Sequence, residues 1–120
     1  MSKKVLLAED DMTMVSLLKT LLKMEGYLVI ALDADADIPA AVQHEKPDVV
    51  LLDVHLASQS GLEIMDAIRR SSDTSDVRVV MTSGLNLREE CLNHGANSFL
   101  LKPYMPDDLI ETLHRAINPS

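Results

Sequence analysis

The residues best suited to chemistry stand directly behind short apolar runs. Glu9, Asp10 and Asp11 follow Val5-Leu6-Leu7-Ala8, and Asp53, with His55 two places on, follows Val49-Val50-Leu51-Leu52. Thr82 and Ser83 follow the run 77–81, and Lys102-Pro103 follows the run 98–101. A nucleophilic carboxylate, further acids, a hydroxyl and an ammonium are together the parts of a phosphoryl-transfer site. If the first and third runs lie side by side, Asp10 and Asp53 face each other. Two ionised carboxylates about 4 Å apart repel by roughly 4 kcal/mol at an effective dielectric near 20. Such a pair calls for a shared proton or a bound cation. Donors that are all oxygen suit Mg²⁺, which keeps several waters and takes one or two carboxylates beside a phosphate. Lys102 and the Thr82 hydroxyl, arriving from the far side, are placed to hold phosphoryl oxygens.

The elements that must position these groups alternate in type. Residues 5–8, 27–31, 49–52, 77–81 and 98–101 read as strands, and their continuous apolarity is that of strands buried on both faces. Between them lie amphipathic stretches. The first places Met14, Leu17, Leu18, Leu21 and Leu22 at helical spacing, begins behind Asp11 as its cap, and closes at Gly26 as a left-handed cap. A short helix over 37–44 starts on Asp37 with Pro39 in its first turn. Gly61 to Arg70 forms a third, burying Leu62, Ile64, Met65 and Ile68. A weaker fourth runs from about Leu87 to His94 and ends at Gly95. The last begins at Pro106, carries Asp107 and Asp108 in its first turn, and buries Leu109, Ile110, Leu113 and Ile117. Five strands alternating with five helices predict an α/β fold, a doubly wound parallel sheet with helices on both faces, in one domain over 1–120. Ligands of such sheets bind beyond the carboxyl ends of the strands, where the strand order reverses, and every residue named above sits there.

Composition narrows the function further. The chain has 120 residues, 47% of them hydrophobic, and a formal net charge of −8. An acidic surface repels nucleic acid backbones, and three aromatics (Tyr27, Phe99, Tyr104) give no stacking platform for bases. No apolar run is long enough to span a bilayer, and the start lacks the pattern of a signal peptide. Cys91 is the single cysteine, which fits a reducing compartment, so the expected location is cytoplasmic.

Four segments together carry a resemblance. Leu7-Ala8-Glu9-Asp10-Asp11, Asp48-Val49-Val50-Leu51-Leu52-Asp53, Val80-Met81-Thr82-Ser83 and the stretch from Gly95 to Pro103 resemble the receiver domain of two-component response regulators, in order and over essentially the whole chain. The resemblance implies a flavodoxin-like strand order, 2-1-3-4-5. It implies that Asp53 accepts a phosphoryl group from a histidine on a sensor kinase or a phosphotransfer protein. Asp10 matches the direct magnesium ligand, Glu9 an acid acting through water, and the His55 carbonyl a third protein ligand. Thr82 and Lys102 match the hydroxyl and ammonium that contact the phosphoryl group, and Phe99 the aromatic switch residue. A cis Lys102–Pro103 bond is implied as well. The product is an acyl phosphate that water cleaves, and the output is a shift of the face made by the fourth helix, fifth strand and fifth helix. By this reading the chain is a regulatory phosphoacceptor rather than an enzyme, whose partners include an effector domain or protein, and which is a monomer or a phosphorylation-dependent dimer.

Some positions depart from the pattern. Ala57 stands where proline usually follows the acceptor loop, and Phe99 lacks a phenol hydroxyl. The stretch from Thr82 to Gly95 is short, which predicts a truncated or reoriented fourth helix. Met105 replaces the usual cap of the last helix, at a cost of about 0.5–2 kcal/mol. His55 has two readings, a solvated loop residue or an imidazole that reaches the acyl phosphate and alters its hydrolysis. Met12, Met14, Tyr104 and Met105 mark a candidate docking patch, although helical spacing also places Met14 in the core. Cys91 is expected to pack in the fourth helix. Two other functions share this topology: a binding-only pseudo-receiver, and a phosphohydrolase with an aspartate nucleophile. The second needs an Asp two places after the nucleophile, where this chain has His55. A nucleotide- or flavin-binding domain would need a Gly-rich loop after the first strand, where three acids stand instead.

Overall fold

The computed structural model describes residues 2–33 and 35–118; Ala34 and the ends of the expected domain, Met1, Pro119 and Ser120, lie outside them. In chain order the elements are β1 (Lys4–Ala8), α1 (Met12–Met24), β2 (Leu28–Ala31), α2 (Ile38–Glu45), β3 (Val49–Asp53), α3 (Gly61–Arg70), β4 (Arg78–Ser83), α4 (Arg88–Asn93), β5 (Ser98–Leu101) and α5 (Pro106–Ile117). The strands form one sheet in the order β2-β1-β3-β4-β5, all parallel.

The continuous apolarity of the strands follows from their two buried faces. Along β1, Val5 and Leu7 point into a layer closed by α1 and α5, while Leu6 and Ala8 point into a layer closed by α2, α3 and α4. β3 divides likewise, Val49 and Leu51 against Val50 and Leu52. Val5 to Ala8 of β1 and all five residues of β3 are buried, at roughly 1.5–3 kcal/mol per buried Val or Leu.

The local signals place most element ends. Asp11 caps α1, accepting from the Thr13 and Met14 amides, and Asp37 caps α2, accepting from Ala40. Gly26 (φ 90°) and Gly95 (φ 105°) take the left-handed conformation behind α1 and α4, where a Cβ is disfavoured. The limits of α3 and β5 and the start of α5 coincide with those the sequence predicts. The fourth helix is truncated as expected, to six residues, and no side chain caps its start. Nor does any side chain cap α5 at Met105.

Three expectations need correction. Leu17 is 60% exposed, and α1 buries Val15, Leu18 and Leu22 instead. The apolar stripe of α1 is broader than the surface the sheet offers, so its edge faces solvent, with Met14 and Leu21 only partly covered. In α3 and α5, Leu62, Ile110 and Ile117 are likewise half-covered, and Ala116 takes a buried place on α5. Finally, Thr82 and Ser83 belong to β4 rather than to a loop after it. Thr82 pairs with Asp53 and Leu100, Ser83 pairs with Leu101, and Val77 lies in the preceding turn. No helix is long and apolar enough to cross a membrane among the described residues.

Candidate functional site

The carboxyl ends of β1, β3, β4 and β5 bring the predicted side chains together. Asp53 is the last residue of β3 and is 7% exposed. The ladder continues past it, with Val54 N donating to Thr82 O at 2.9 Å, so the Asp53 backbone is fixed on both sides. Its Oδ1 accepts from His55 N at 3.1 Å. Its Oδ2 accepts from Lys102 Nζ at 2.8 Å.

Lys102 reaches across from the end of β5 and is shared. Nζ also donates to Glu9 Oε1 at 2.7 Å, binding residues 93 positions apart. Burial alone would lower the Lys102 ammonium, but hydrogen bonds and charge from Asp53 and Glu9 outweigh it and hold the group above the usual lysine range. Lys102 N donates to Ser83 O at 2.8 Å, which seats its backbone on β4, and the Lys102–Pro103 bond is cis, as the resemblance implies. Tyr104 lies close enough to feel the same charges. Its phenol is pushed up to about 12 by burial foremost, with the Lys102 charge opposing and the Glu9 and Asp53 charges adding.

Glu9 is buried, with its Oε2 accepting from Asp11 N at 3.2 Å. Asp10 Oδ2 accepts from Ala57 N, which draws the loop after β3 over the site. Asp10 Oδ1, in contrast, is buried and has no hydrogen-bond partner among the described residues. An unpaired buried carboxylate oxygen is costly, and three carboxylates share this end of the sheet with the single Lys102 ammonium described here. A cation that prefers oxygen fits that arrangement: it would satisfy Asp10 Oδ1 and offset the excess negative charge. Among the described residues no three His, Cys, Asp or Glu side chains close on one point, so the donor set is an open one rather than a cage.

Thr82 is 2% exposed on β4, directly beside Asp53 in the register. His55 is exposed and forms an isolated bridge with Ser60, just before α3. Phe99 packs inward on β5, in the layer of α2, α3 and α4. The Arg88 guanidinium lies 5.6 Å from its ring centroid and donates to Phe99 O at 3.3 Å, so the short fourth helix is anchored to Phe99. Met12 and Met105 are exposed and Tyr104 half-buried, whereas Met14 packs against the α1–α5 layer. Cys91 is fully buried, and burial raises its thiol.

One contributor was not among the candidates. Gly61 opens α3 hard against the end of β3: a Cβ there would lie 2.3 Å from Asp53 O. Ser83 Oγ accepts from Leu85 N at 3.0 Å and turns the chain out of β4. A glycine opening a helix eight residues after Asp53 was the only available signal for Gly61.

The sequence profile of the response regulator receiver domain matches residues 5–114. The chain belongs to the response regulator receiver domain family. Receiver domains of this kind are the regulatory modules of two-component signalling, and the fold and strand order described above are theirs. This receiver domain is 31% identical over 109 residues to the transcriptional regulatory protein KdpE of Staphylococcus aureus, covering 91% of this chain and 47% of that protein. It therefore spans about half the length of that relative. It is 28% identical to the chemotaxis protein CheY of Listeria monocytogenes, covering 94% of this chain and 97% of that one. Among solved structures it is similar to the receiver domain of the sensor histidine kinase PA1611 from Pseudomonas aeruginosa PAO1, which has a magnesium ion coordinated in its active-site cleft. The TM-score is 0.86 at 26% identity, over 98% of both chains.

Proposed function

We propose that this receiver domain, taken as one unit over 1–120, accepts a phosphoryl group on Asp53 and passes the change to the face of α4, β5 and α5. One observation carries the reading. The Asp53 carboxylate is buried at a strand end with Lys102 Nζ on Oδ2, beside an Asp10 oxygen that no donor satisfies. The donor would be a phosphohistidine of a sensor kinase or a histidine phosphotransfer protein. An Asp53 oxygen attacks phosphorus, the P–N bond breaks, and its electron pair returns to the imidazole nitrogen. Loss of the signal is attack by water on phosphorus, cleavage of the P–O bond to Asp53, and release of inorganic phosphate with the carboxylate restored.

Each side chain has a role in that exchange. Lys102 holds the oxygen it already touches and offsets charge on the phosphoryl group, and Glu9 keeps the ammonium in place. Thr82 offers a hydroxyl to a phosphoryl oxygen from the neighbouring strand. Asp10, Asp53 and the His55 carbonyl would hold Mg²⁺, with Glu9 acting through water, and the ion when bound would neutralise the phosphoryl oxygens. The Phe99 ring and its Arg88 contact would transmit the movement of Thr82 to α4. The domain acts as a cytoplasmic regulatory phosphoacceptor, not as a turnover enzyme, and its own surface is unsuited to nucleic acid. It works as a monomer or dimerises on phosphorylation, with an effector domain or protein reading the output.

Beryllofluoride, which mimics a phosphoryl group on a carboxylate, tests this reading. With Mg²⁺ present it is expected to shift the amide resonances of His55, Thr82 and Lys102 in the wild type and to leave Asp53→Asn unmoved. Equal shifts in the variant would refute Asp53 as acceptor. Silence in both proteins would favour a binding-only pseudo-receiver.

A further inference from the structure

The amino ends of β4 and β5, at the opposite end of the sheet from Asp53, carry a second set of polar side chains. Arg78 opens β4, Ser98 opens β5 directly behind Asn97, and Thr112, Arg115 and Ala116 come from α5; together they line a cavity of about 300 Å³. Every polar side chain in that lining ends in an N–H or O–H donor, and none is an acid. In a chain of formal net charge −8 this is a local reversal of sign.

The donors are not spent on the fold. Among the described residues no hydrogen bond or ion pair engages the Arg78 guanidinium, although the residue is half-buried. Arg115 pairs only with Glu111, one turn back on α5, and both side chains are exposed, where such pairs are weak. Asn97 Oδ1 accepts from Val79 N at 2.8 Å and from Arg69 Nη2 at 3.1 Å, which fixes the amide and leaves Nδ2 to be offered. Arg69 adds a third positive group behind the wall, its own donors taken by the carbonyls of Ser75, Val77 and Gly95. Burial lowers the Arg69 guanidinium; Asp76 opposes that shift and the Arg78 charge adds to it. No carboxylate is among the lining residues, so an anion in the cavity would face both guanidiniums. Guanidinium forks match phosphate oxygens in pairs. The volume is at the lower end for small-molecule sites and exceeds what a bare oxyanion fills.

We propose that this cavity binds a small phosphomonoester of sugar size, with Arg78 and Arg115 on the phosphate and Asn97 Nδ2, Ser98 and Thr112 on the hydroxylated body. The site is separate from the acceptor and does not depend on its chemistry. Ribose 5-phosphate is the probe, titrated into the full chain in magnesium-free buffer at constant ionic strength, with amide resonances and binding heat as readouts. Shifts centred on Arg78, Asn97, Ser98 and Thr112 are expected, unchanged in Asp53→Asn. Arg78→Gln is expected to weaken binding roughly tenfold, as loss of a charged hydrogen bond does. Thr112→Ala, which keeps both guanidiniums, is expected to weaken it a few-fold, and thermal melts confirm that each variant is folded. Shifts matched by sodium chloride, shifts centred on Thr82 and Lys102, or affinity unchanged in a folded Arg78→Gln protein would each overturn the proposal. Inorganic phosphate binding as tightly as ribose 5-phosphate would overturn the assignment of the polar body.

Discussion

Gly61→Ala probes the seating of Asp53 more sharply than its single methyl group suggests. A Cβ at this position would lie 2.3 Å from Asp53 O, 2.7 Å from Val54 Cα and 3.0 Å from Val54 O. All three are backbone atoms at the end of β3, so no rotamer change relieves them. Comfortable carbon contacts begin near 3.5 Å, so the start of α3 must move away by about 1 Å. That movement also stretches the bond from Gly61 N to Val54 O, now 2.7 Å. Overpacking costs about 1–3 kcal/mol, and three backbone contacts put this case near 3. Alanine returns at most about 1 kcal/mol of helix propensity, which leaves a net loss of about 2 kcal/mol. For a chain of this size that is a fall in Tm of about 8 °C. Urea and thermal unfolding measure it, and beryllofluoride uptake reports the accompanying displacement of Asp53. Gly84→Ala is the matched control: nothing lies within 4 Å of its Cβ, so its effect should stay within about 0.5 kcal/mol. A Gly61→Ala protein as stable as wild type, or indistinguishable from Gly84→Ala, refutes the reasoning.

Three further outcomes follow from the packing and electrostatics. Thr74 is buried and its Oγ1 donates to Ile68 O at 2.6 Å, satisfying a carbonyl in the last turn of α3. Thr74→Val leaves that carbonyl unpaired and should cost about 1–3 kcal/mol by urea denaturation. Met105→Ser supplies the missing cap of α5 and should raise stability by about 0.5–1 kcal/mol; no gain would show that the last helix is capped in another way. Tyr104 holds its proton to about 12 in the folded protein, against about 10 when unfolded. The folded state then binds the proton more tightly, so its stabilising contribution is complete below pH 10 and is lost as pH rises from 10 through 12. Absorbance titration of the phenolates, comparing wild type with Tyr104→Phe, should show the Tyr104 step well above that of the unfolded chain.

Much of this was legible in the sequence, for local reasons. Runs such as Val49-Val50-Leu51-Leu52 announce strands buried on two faces, and Asp11, Asp37, Gly26 and Pro106 mark helix ends through their own backbone chemistry. The candidate site was legible because a parallel sheet gathers whatever stands at the carboxyl ends of its strands, and Glu9, Asp10, Asp53, Thr82 and Lys102 all end or follow one. The misses are tertiary. Spacing alone does not say how much of a broad stripe the sheet covers, so Leu17 was assigned inward although Val15 holds that place. The extension of β4 through Thr82 and Ser83 depends on pairing with β3 and β5. The bridge from Lys102 to both Glu9 and Asp53 spans 93 and 49 positions, beyond any local pattern. The approach of Gly61 to Asp53 O is a contact between backbones, and no side chain advertises it.

The central claim is that Asp53 is the phosphoryl acceptor, and intact mass measured after incubation with acetyl phosphate tests it most directly. The account predicts a gain of one phosphoryl group in the wild type that requires Mg²⁺, is absent in Asp53→Asn, and decays as the acyl phosphate hydrolyses. The same adduct on the Asp53→Asn protein, or one that forms equally without Mg²⁺, would contradict it.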